Sequence, residues 1–362
     1  MNEHGPNGDQ SASPLRMWSF ANATWAGPGR HPGEFCIGFD DGQLLYVSHD
    51  DSKRTPFRFA DSDAEAVNGV AFINSTCAVS TRAEVMFLTA PAADANRPRG
   101  IFPAGAHGVI ATSQQTFVAP MGHGGLMNAW LDTNVGIAIS IARLSNRKLD
   151  YYKAVSVVSC TGSEAIVCAA RQDGIIVAPL ANGGFKDIRV MTLPGLDVVD
   201  VCALGRNLES LAAVALGKDG TLAFFRDVLH DAAPTMVQYN SIGGTGYRVL
   251  AIQGAIFVLT DQGLYFLDGL AEQFQRGESI YDSIRIKKRP CEAIDANAAD
   301  NRWLLIAEND GVLRIDVTQF VAAVPADGVE SQFTAPTAPV AAPWEMSEGL
   351  PLITVPGDLI AA

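Results

Sequence analysis

The residues of this 362-residue chain that could do chemistry are few, and their spacing excludes most reactions. The six histidines are His4, His31, His49, His107, His123 and His230. No two lie three or four apart on a helix, so a metal-binding triad would have to form across distant segments. The six cysteines, Cys36, Cys77, Cys160, Cys168, Cys202 and Cys291, contain no CxxC pair. That spacing excludes a zinc ribbon and a thioredoxin-like motif. Most of them sit inside apolar runs and read as small buried hydrophobes in a reducing compartment. There is no G-x-S-x-G elbow, no P-loop and no H-E-x-x-H. Gly243-Gly244-Thr245-Gly246 is glycine-rich, but no helix follows to complete a phosphate cradle, so it reads as a connection. No cofactor is expected. Any site must be assembled from residues far apart in the chain.

A repeat supplies the means. An apolar strand, a tight turn and a second apolar strand recur at 35–47, 77–89, 117–131, 167–180, 214–225, 257–268 and 305–317. The turns centre on Gly42, Ala83, Gly124, Gly174, Gly220, Gly263 and Gly311, spaced 41, 41, 50, 46, 43 and 48 residues apart. Asp-Gly fills four of them, at Asp41-Gly42, Asp173-Gly174, Asp219-Gly220 and Asp310-Gly311. A two-residue hairpin of the favoured hand needs positive φ, which Gly adopts freely and Asp tolerates. Where Arg82-Ala83 stands, another turn type is needed. A short strand of small and β-branched residues precedes each hairpin, at 17–21, 68–73, 107–112, 155–160, 199–204, 247–252 and 292–297. Small side chains suit an innermost strand. More polar strands follow at 54–59, 97–102, 186–192, 235–240 and 283–288, as outer edges require. Helical segments are confined to 225–233, 268–277 and 316–324, too few to cover a parallel sheet.

Seven units of this period predict an all-β fold, a single seven-bladed β-propeller of four-stranded blades over 14–324. The pattern resembles a WD40-type propeller in period and strand order, although the Trp-Asp dipeptide is absent from every blade and Gly-His occurs only as Gly122-His123. The resemblance implies a ligand site at the mouth of the central channel, where inner strands begin. Asn68, His107, Tyr247 and Glu292 align at one position there, with Asp200 and Arg248 one step later. Such a ring could line a channel, or hold a small anion through Tyr247, Arg248 and Glu292. In lactonase-like propellers, mouth carboxylates and amides hold a divalent cation, a role open to Asn68, Asp200 and Glu292. Asp200 and His107 could form an acid–base pair.

Residues 1–13 are polar and expected to be disordered. Residues 325–362 are Pro/Ala-rich, but 343–356 carries Trp344, Met346, Leu350, Leu352 and Ile353. That segment is expected to dock on the propeller or on a partner. Residues 331–335, or alternatively the N-terminal residues, could complete the last blade. The net charge of −13 argues against nucleic acid, and the basic run Arg285–Arg289 reads as a solvated edge. No apolar run of about 18 residues suggests a membrane span, and no signal peptide is evident. The expectation is a cytoplasmic, monomeric, non-enzymatic scaffold for protein partners. The alternatives are a metal-dependent hydrolase or lyase, and a ligand-sensing regulatory subunit.

Overall fold

The computed structural model describes residues 15–48, 53–57, 65–89, 100–132, 136–144, 148–158, 162–181, 184–204, 211–226, 228, 235–253, 255–268, 284–289, 291–308, 310–319 and 345–350. Its strands fall into seven sheets arranged as the blades of a propeller. Strand β1 (Leu15–Trp18) comes first. Blade 1 then runs from its innermost strand outward as β2 (Ala23–Pro28), β3 (Phe35–Phe39), β4 (Leu44–Val47) and β5 (Arg54–Phe57). Blade 2 is β6 (Gly69–Ile73), β7 (Thr76–Ser80), β8 (Val85–Thr89) and β9 (Gly100–Phe102). Blade 3 is β10 (Ile110–Ala111), β11 (Thr116–Pro120), β12 (Leu126–Asp132) and β13 (Gly136–Ala142). Blade 4 is β14 (Ala154–Val158), β15 (Glu164–Ala169) and β16 (Ile175–Ala181), with the short outer strands β17 (Gly184–Phe185) and β18 (Arg189–Met191) both on β16. Blade 5 is β19 (Val198–Leu204), β20 (Ala212–Gly217), β21 (Thr221–Arg226) and β22 (Thr235–Ser241).

Blade 6 comprises β23 (Gly246–Ile252), β24 (Ala255–Thr260), β25 (Gly263–Asp268) and β26 (Ile284–Arg289). The inner strands of blade 7 are β27 (Ala293–Ala299), β28 (Trp303–Glu308) and β29 (Gly311–Asp316), and β1 is its outer strand. Leu15 to Trp18 pair antiparallel with Ile315 to Val312. The ring is therefore closed by the N-terminal strand. This corrects the expectation that 17–21 is an inner strand: the innermost strand of blade 1 begins six residues later, at Ala23. The closing seam is packed by Trp303, which meets Phe35 of blade 1 edge-on at 6.4 Å. The guanidinium groups of Arg302 and Arg314 lie over the same indole at 4.5 and 4.4 Å. Strand β30 (Glu345–Leu350) pairs with β26, placing Met346 opposite Lys287 and Leu350 opposite Ile284. Arg285–Arg289 is thus an internal strand rather than a free edge. Trp344, Leu352, Ile353, 331–335 and 1–13 lie outside the described residues. The only described helical residues are one 3-10 turn, Val317–Gln319.

The core lies between the blades. Apolar clusters alternate around the ring, for example Val214, Leu216 and Phe224 of blade 5 against Ile256 and Val258 of blade 6. The middle strands face a neighbour on both sides, so they are apolar at nearly every position: β15 and β20 are buried throughout. Cys36, Cys77, Cys168, Cys202 and Cys291 are buried and form no disulfide among the described residues, and burial pushes the Cys36, Cys77, Cys168 and Cys202 thiols well above their ordinary range.

The glycine turns differ in detail from the two-residue form. At Gly42, Gly174 and Gly220, φ is +75°, +92° and +77°, while their aspartates keep negative φ. Each glycine ends a longer loop as a bulge. The Asp41 and Asp219 carboxylates accept the amides of Gln43 and Thr221, both at 3.0 Å, and brace the turn. At Arg82-Ala83, the buried Thr81 hydroxyl takes the aspartate's part, accepting the amides of Ala83 and Glu84 at 3.2 and 3.1 Å. A side chain at Gly174 would also meet the Met191 carbonyl of β18 at 2.0 Å. Gly174→Ala is expected to cost about 3 kcal/mol, strain plus displacement of β18. Gly136, at φ +84° with nothing within 4 Å, is the control: its alanine variant should cost only about 1 kcal/mol. Denaturant unfolding of the two variants measures the difference.

Candidate functional site

Seven inner strands leave a central channel enclosing about 460 Å³. They enter it from one face, which also carries the glycine turns and is called here the mouth face. In blades 1, 5, 6 and 7 the entering strand carries a β-bulge, with Thr24, Val199, Tyr247 and Ile294 as the extra residues. The next residues, Trp25, Asp200, Arg248 and Asp295, are therefore equivalent. A bulge re-aims the side chain that follows it. In blades 5, 6 and 7 that side chain is charged, with alternating sign.

The result is a buried ionic cluster across three blades. Arg248 Nε lies 3.4 Å from Asp200 Oδ2 and 3.4 Å from Asp295 Oδ1. It donates to the Ala296 carbonyl at 3.0 Å, and Nη2 donates to Asn297 Oδ1 at 3.1 Å. Asp200 also accepts the Val249 amide at 2.8 Å. Asp200 is only 2% exposed and Asp295 8%. Burial pushes the Asp200 carboxyl above its ordinary value against the pull of Arg248. Burial pulls the Arg248 guanidinium down, but Asp200 and Asp295 outweigh it and hold it firmly charged.

The same polar groups stitch the ring together. Thr24 Oγ1 donates to the Val67 carbonyl at 2.8 Å, joining blades 1 and 2. Asn68 Nδ2 donates to the Ala106 carbonyl at 2.6 Å, joining blade 2 to the entry of blade 3. Gly122 and Tyr151 exchange backbone hydrogen bonds between blades 3 and 4, and Arg171 accepts the Val198 amide between blades 4 and 5. Asp200 and Arg248 join blades 5, 6 and 7, and Asn297 Nδ2 closes the circuit on the Ala26 carbonyl of blade 1 at 2.9 Å. Every pair of neighbouring blades has such a link at the mouth.

Of the six expected mouth residues, Asn68, His107, Asp200 and Arg248 line the channel, and Tyr247 and Glu292 do not. Tyr247 is the bulged residue and packs against the core between blades 6 and 7. Glu292 precedes its strand and is exposed. Tyr247 is itself the extra residue of its bulge, and Glu292 lies two residues before its true counterpart, Ile294, so the carboxylate of blade 7 that meets Arg248 is Asp295. A repeated signal marks it: Val198-Val199-Asp200, Gly246-Tyr247-Arg248 and Ala293-Ile294-Asp295 each place a charge third in an apolar strand. Asn68, Asp200 and Glu292 do not converge, since Asp200 is committed to Arg248 and Glu292 lies outside the channel. Among the described residues, no group of three or more His, Cys, Asp or Glu is placed to hold a metal ion.

His107 stacks on Tyr152 at 4.6 Å, and Arg171 lies over the other aromatic of that stack, Tyr152, at 4.9 Å. Burial lowers the His107 pKa, and Lys153 lowers it further. The Asp200 carboxylate is turned to Arg248 and the Val249 amide, and among the described residues no hydrogen bond or ion pair joins it to His107, so the expected acid–base pair is not formed. Lys153 itself was not anticipated. It stands just before β14 and lines the channel. Its ammonium has no hydrogen-bond or ion-pair partner among the described residues.

In overall fold, the chain is similar to solved WD40-type propellers. The β-propeller domain of Cps50 (Swd1) from Myceliophteria thermophila matches with TM-score 0.61 at 11% identity, over 83% of this chain and 97% of that one. The WD40 β-propeller domain of Doa1 matches with TM-score 0.57 at 9% identity, over 83% and 94%. U3-55K matches with TM-score 0.62 at 9% identity, over 84% and 99%. No family model and no curated protein matches the sequence. At these identities the likeness is one of fold.

Proposed function

We propose that this propeller is a non-enzymatic docking platform whose mouth face receives a basic segment of a protein partner. One observation carries the reading. Six of the seven turns joining second and third strands present a carboxylate on that face: Asp40 and Asp41, Glu84, Asp173, Asp219, Asp261 and Asp310. At the turn tips, the described cations are Arg82, Arg171 and Lys218. Arg171 is already paired with Asp197 at 2.8 Å. The face is rigid because each blade is linked to the next, so a partner meets a preformed surface and little ordering cost. A ring of like charge on such a surface steers an oppositely charged partner and raises its on-rate. Catalysis is disfavoured by the same geometry, because the buried charges at the channel neutralise one another instead of facing a substrate.

The test removes charge without removing hydrogen bonds. Asp219 accepts the Thr221 amide, and Asp261 accepts the Thr245 amide at 2.8 Å. Asparagine keeps an acceptor at both. The combined variant Asp219→Asn, Asp261→Asn, Asp310→Asn should keep the wild-type melting temperature and weaken capture of a partner at least about tenfold, with wild-type binding lost at high salt. Partner binding that is indifferent to both salt and these substitutions would refute the assignment of this face.

A further inference from the structure

Each blade ends in an outer strand whose free backbone groups could pair with another chain, and six of the seven described outer edges are guarded against it. β5 and β1 are four residues long, and carry Arg54 with Pro56, and Arg16. β9 has three residues. Blade 4 ends in the short β17 and β18. A bulge at Val237 kinks β22. β26 is covered by β30. β13 has none of these devices. It runs seven residues, Gly136–Ala142, without a charge, a proline or a register shift against β12. Among the described residues, nothing pairs with its outer side.

One face of this edge is apolar. Ile137, Ile139 and Ile141 alternate onto the side toward blade 2, where Ile137 and Ile139 pack against the cluster between the two blades. Leu131 of β12 is the cross-strand partner of Ile137 and lies on the same face. Blade 2 has only the short β9 to cover this face, and Ile141 and Leu131 stay 41% and 40% exposed. The order of the residues identifies what fits. Gly-Ile-Ala-Ile-Ser-Ile-Ala is close to a palindrome centred on Ile139. An antiparallel strand of the same sequence sets Ile139 opposite Ile139, Ile137 opposite Ile141, Ala138 opposite Ser140 and Gly136 opposite Ala142. Directly opposed residues share a face, so the isoleucines of both strands form one apolar stripe, and no like charges meet. A two-fold interface requires a self-complementary patch of this kind. We propose that β13 is the contact of a weak homodimer, in which two copies of this chain join blade 3 to blade 3, edge to edge.

A two-fold axis normal to the blade reverses both the strand direction and the radial direction, so the two mouth faces point opposite ways. Both stay open, and the dimer does not depend on their role in docking. The contact is small, seven residues from each copy, so its dissociation constant should be on the order of 10 µM. This departs from the monomer expected of the sequence, where alternation marks the apolar face of a strand but not whether its edge is free.

Sedimentation velocity of the full chain, from about 1 to about 100 µM, should show the mass rising from one chain toward two. Ser140 is exposed, so Ser140→Lys should leave the melting temperature of dilute protein unchanged. It places the lysines of the two copies on a diagonal across the new pair, and should weaken the dimer at least about tenfold. Ile139→Cys gives a second reading. Its thiol meets its own copy at the axis, at a Cα spacing that a disulfide allows. Mild oxidation should yield a disulfide-linked dimer on a non-reducing gel, whereas Ser140→Cys, opposite Ala138, should yield far less. The cross-link decides the matter even if Ser140→Lys folds poorly. A single chain at every concentration, a dimer that a folded Ser140→Lys leaves intact, or equal cross-linking of the two cysteine variants would each overturn the proposal. So would a monomer whose β13 edge instead takes up a foreign extended peptide.

Discussion

Arg248→Leu should destabilise the protein by about 3–5 kcal/mol at neutral pH, the largest loss expected from any single mouth residue. The guanidinium stands between two carboxylates that are 2% and 8% exposed. Leucine fills much of the volume, so the cost is not a cavity. It is the cost of leaving buried charge unmatched. The pH dependence separates this from a packing defect. Asp200 already has a folded-state pKa above its ordinary 3.8, because it is buried. Loss of Arg248 raises it further. A carboxyl with a raised folded pKa costs nothing below its unfolded pKa, where both states carry the proton. Stability then falls as pH rises from about 4 through the folded value, because the unfolded chain ionises first. The deficit of Arg248→Leu should therefore be small near pH 4 and grow toward neutrality. Adding Asp200→Asn to the variant should recover part of it. Urea unfolding across that pH range reads both effects. A loss below about 1 kcal/mol, or one independent of pH, would mean that the cluster is solvated.

Removing residues 1–19 should lower the melting temperature by about 10 °C or more, because β1 is the fourth strand of blade 7. Its departure uncovers Val312, Leu313 and Ile315, which are at most 1% exposed in the closed ring. It also leaves the backbone edge of β29 unpaired. The converse experiment strengthens the closure. Arg16 and Arg314 are direct cross-strand partners, and cysteines there meet the Cα spacing a disulfide needs. The cross-link would enclose nearly the whole propeller, and chain entropy assigns such a loop a stabilisation on the order of 5 kcal/mol. Loss of the Arg314 stack on Trp303 subtracts about 1 kcal/mol. The oxidised form should melt well above the reduced form. Equal melting of the two forms, or failure of the cross-link to form, would place β1 elsewhere.

The fold was legible because the middle strands carry it. A strand facing neighbours on both sides must be apolar, and a turn with positive φ must favour glycine. Val214–Phe225 and Phe257–Asp268 therefore announce themselves, and all seven hairpins fall where the sequence places them. The first inner strand was misread because Met17-Trp18 and Trp25-Ala26 are equally strand-like. Local pattern does not say which of two adjacent strands belongs to the first blade and which to the last. The site was half legible for a related reason. Alternation identifies faces only while the register is regular, and a bulge leaves no mark in composition. Tyr247 is the extra residue of such a bulge, and Glu292 is level with it only if the last inner strand is set two residues too early, which passes over Asp295. Lys153 was missed because it precedes the regular strand, where no periodicity points inward.

Closing the ring with β1 also sets a timetable. Its partner β29 is made about 300 residues later, and at ribosomal rates of about 5–20 residues per second that is roughly 15–60 seconds. Six blades can hydrogen-bond internally as they emerge. The last cannot, and for that interval β1 is a strand without a sheet, able to join any open edge nearby. The open edge most at hand in a polysome is β29 of a neighbouring nascent chain. Slower elongation would lengthen the exposure, so the yield of correctly closed monomer should fall, and domain-swapped oligomer rise, as translation is slowed.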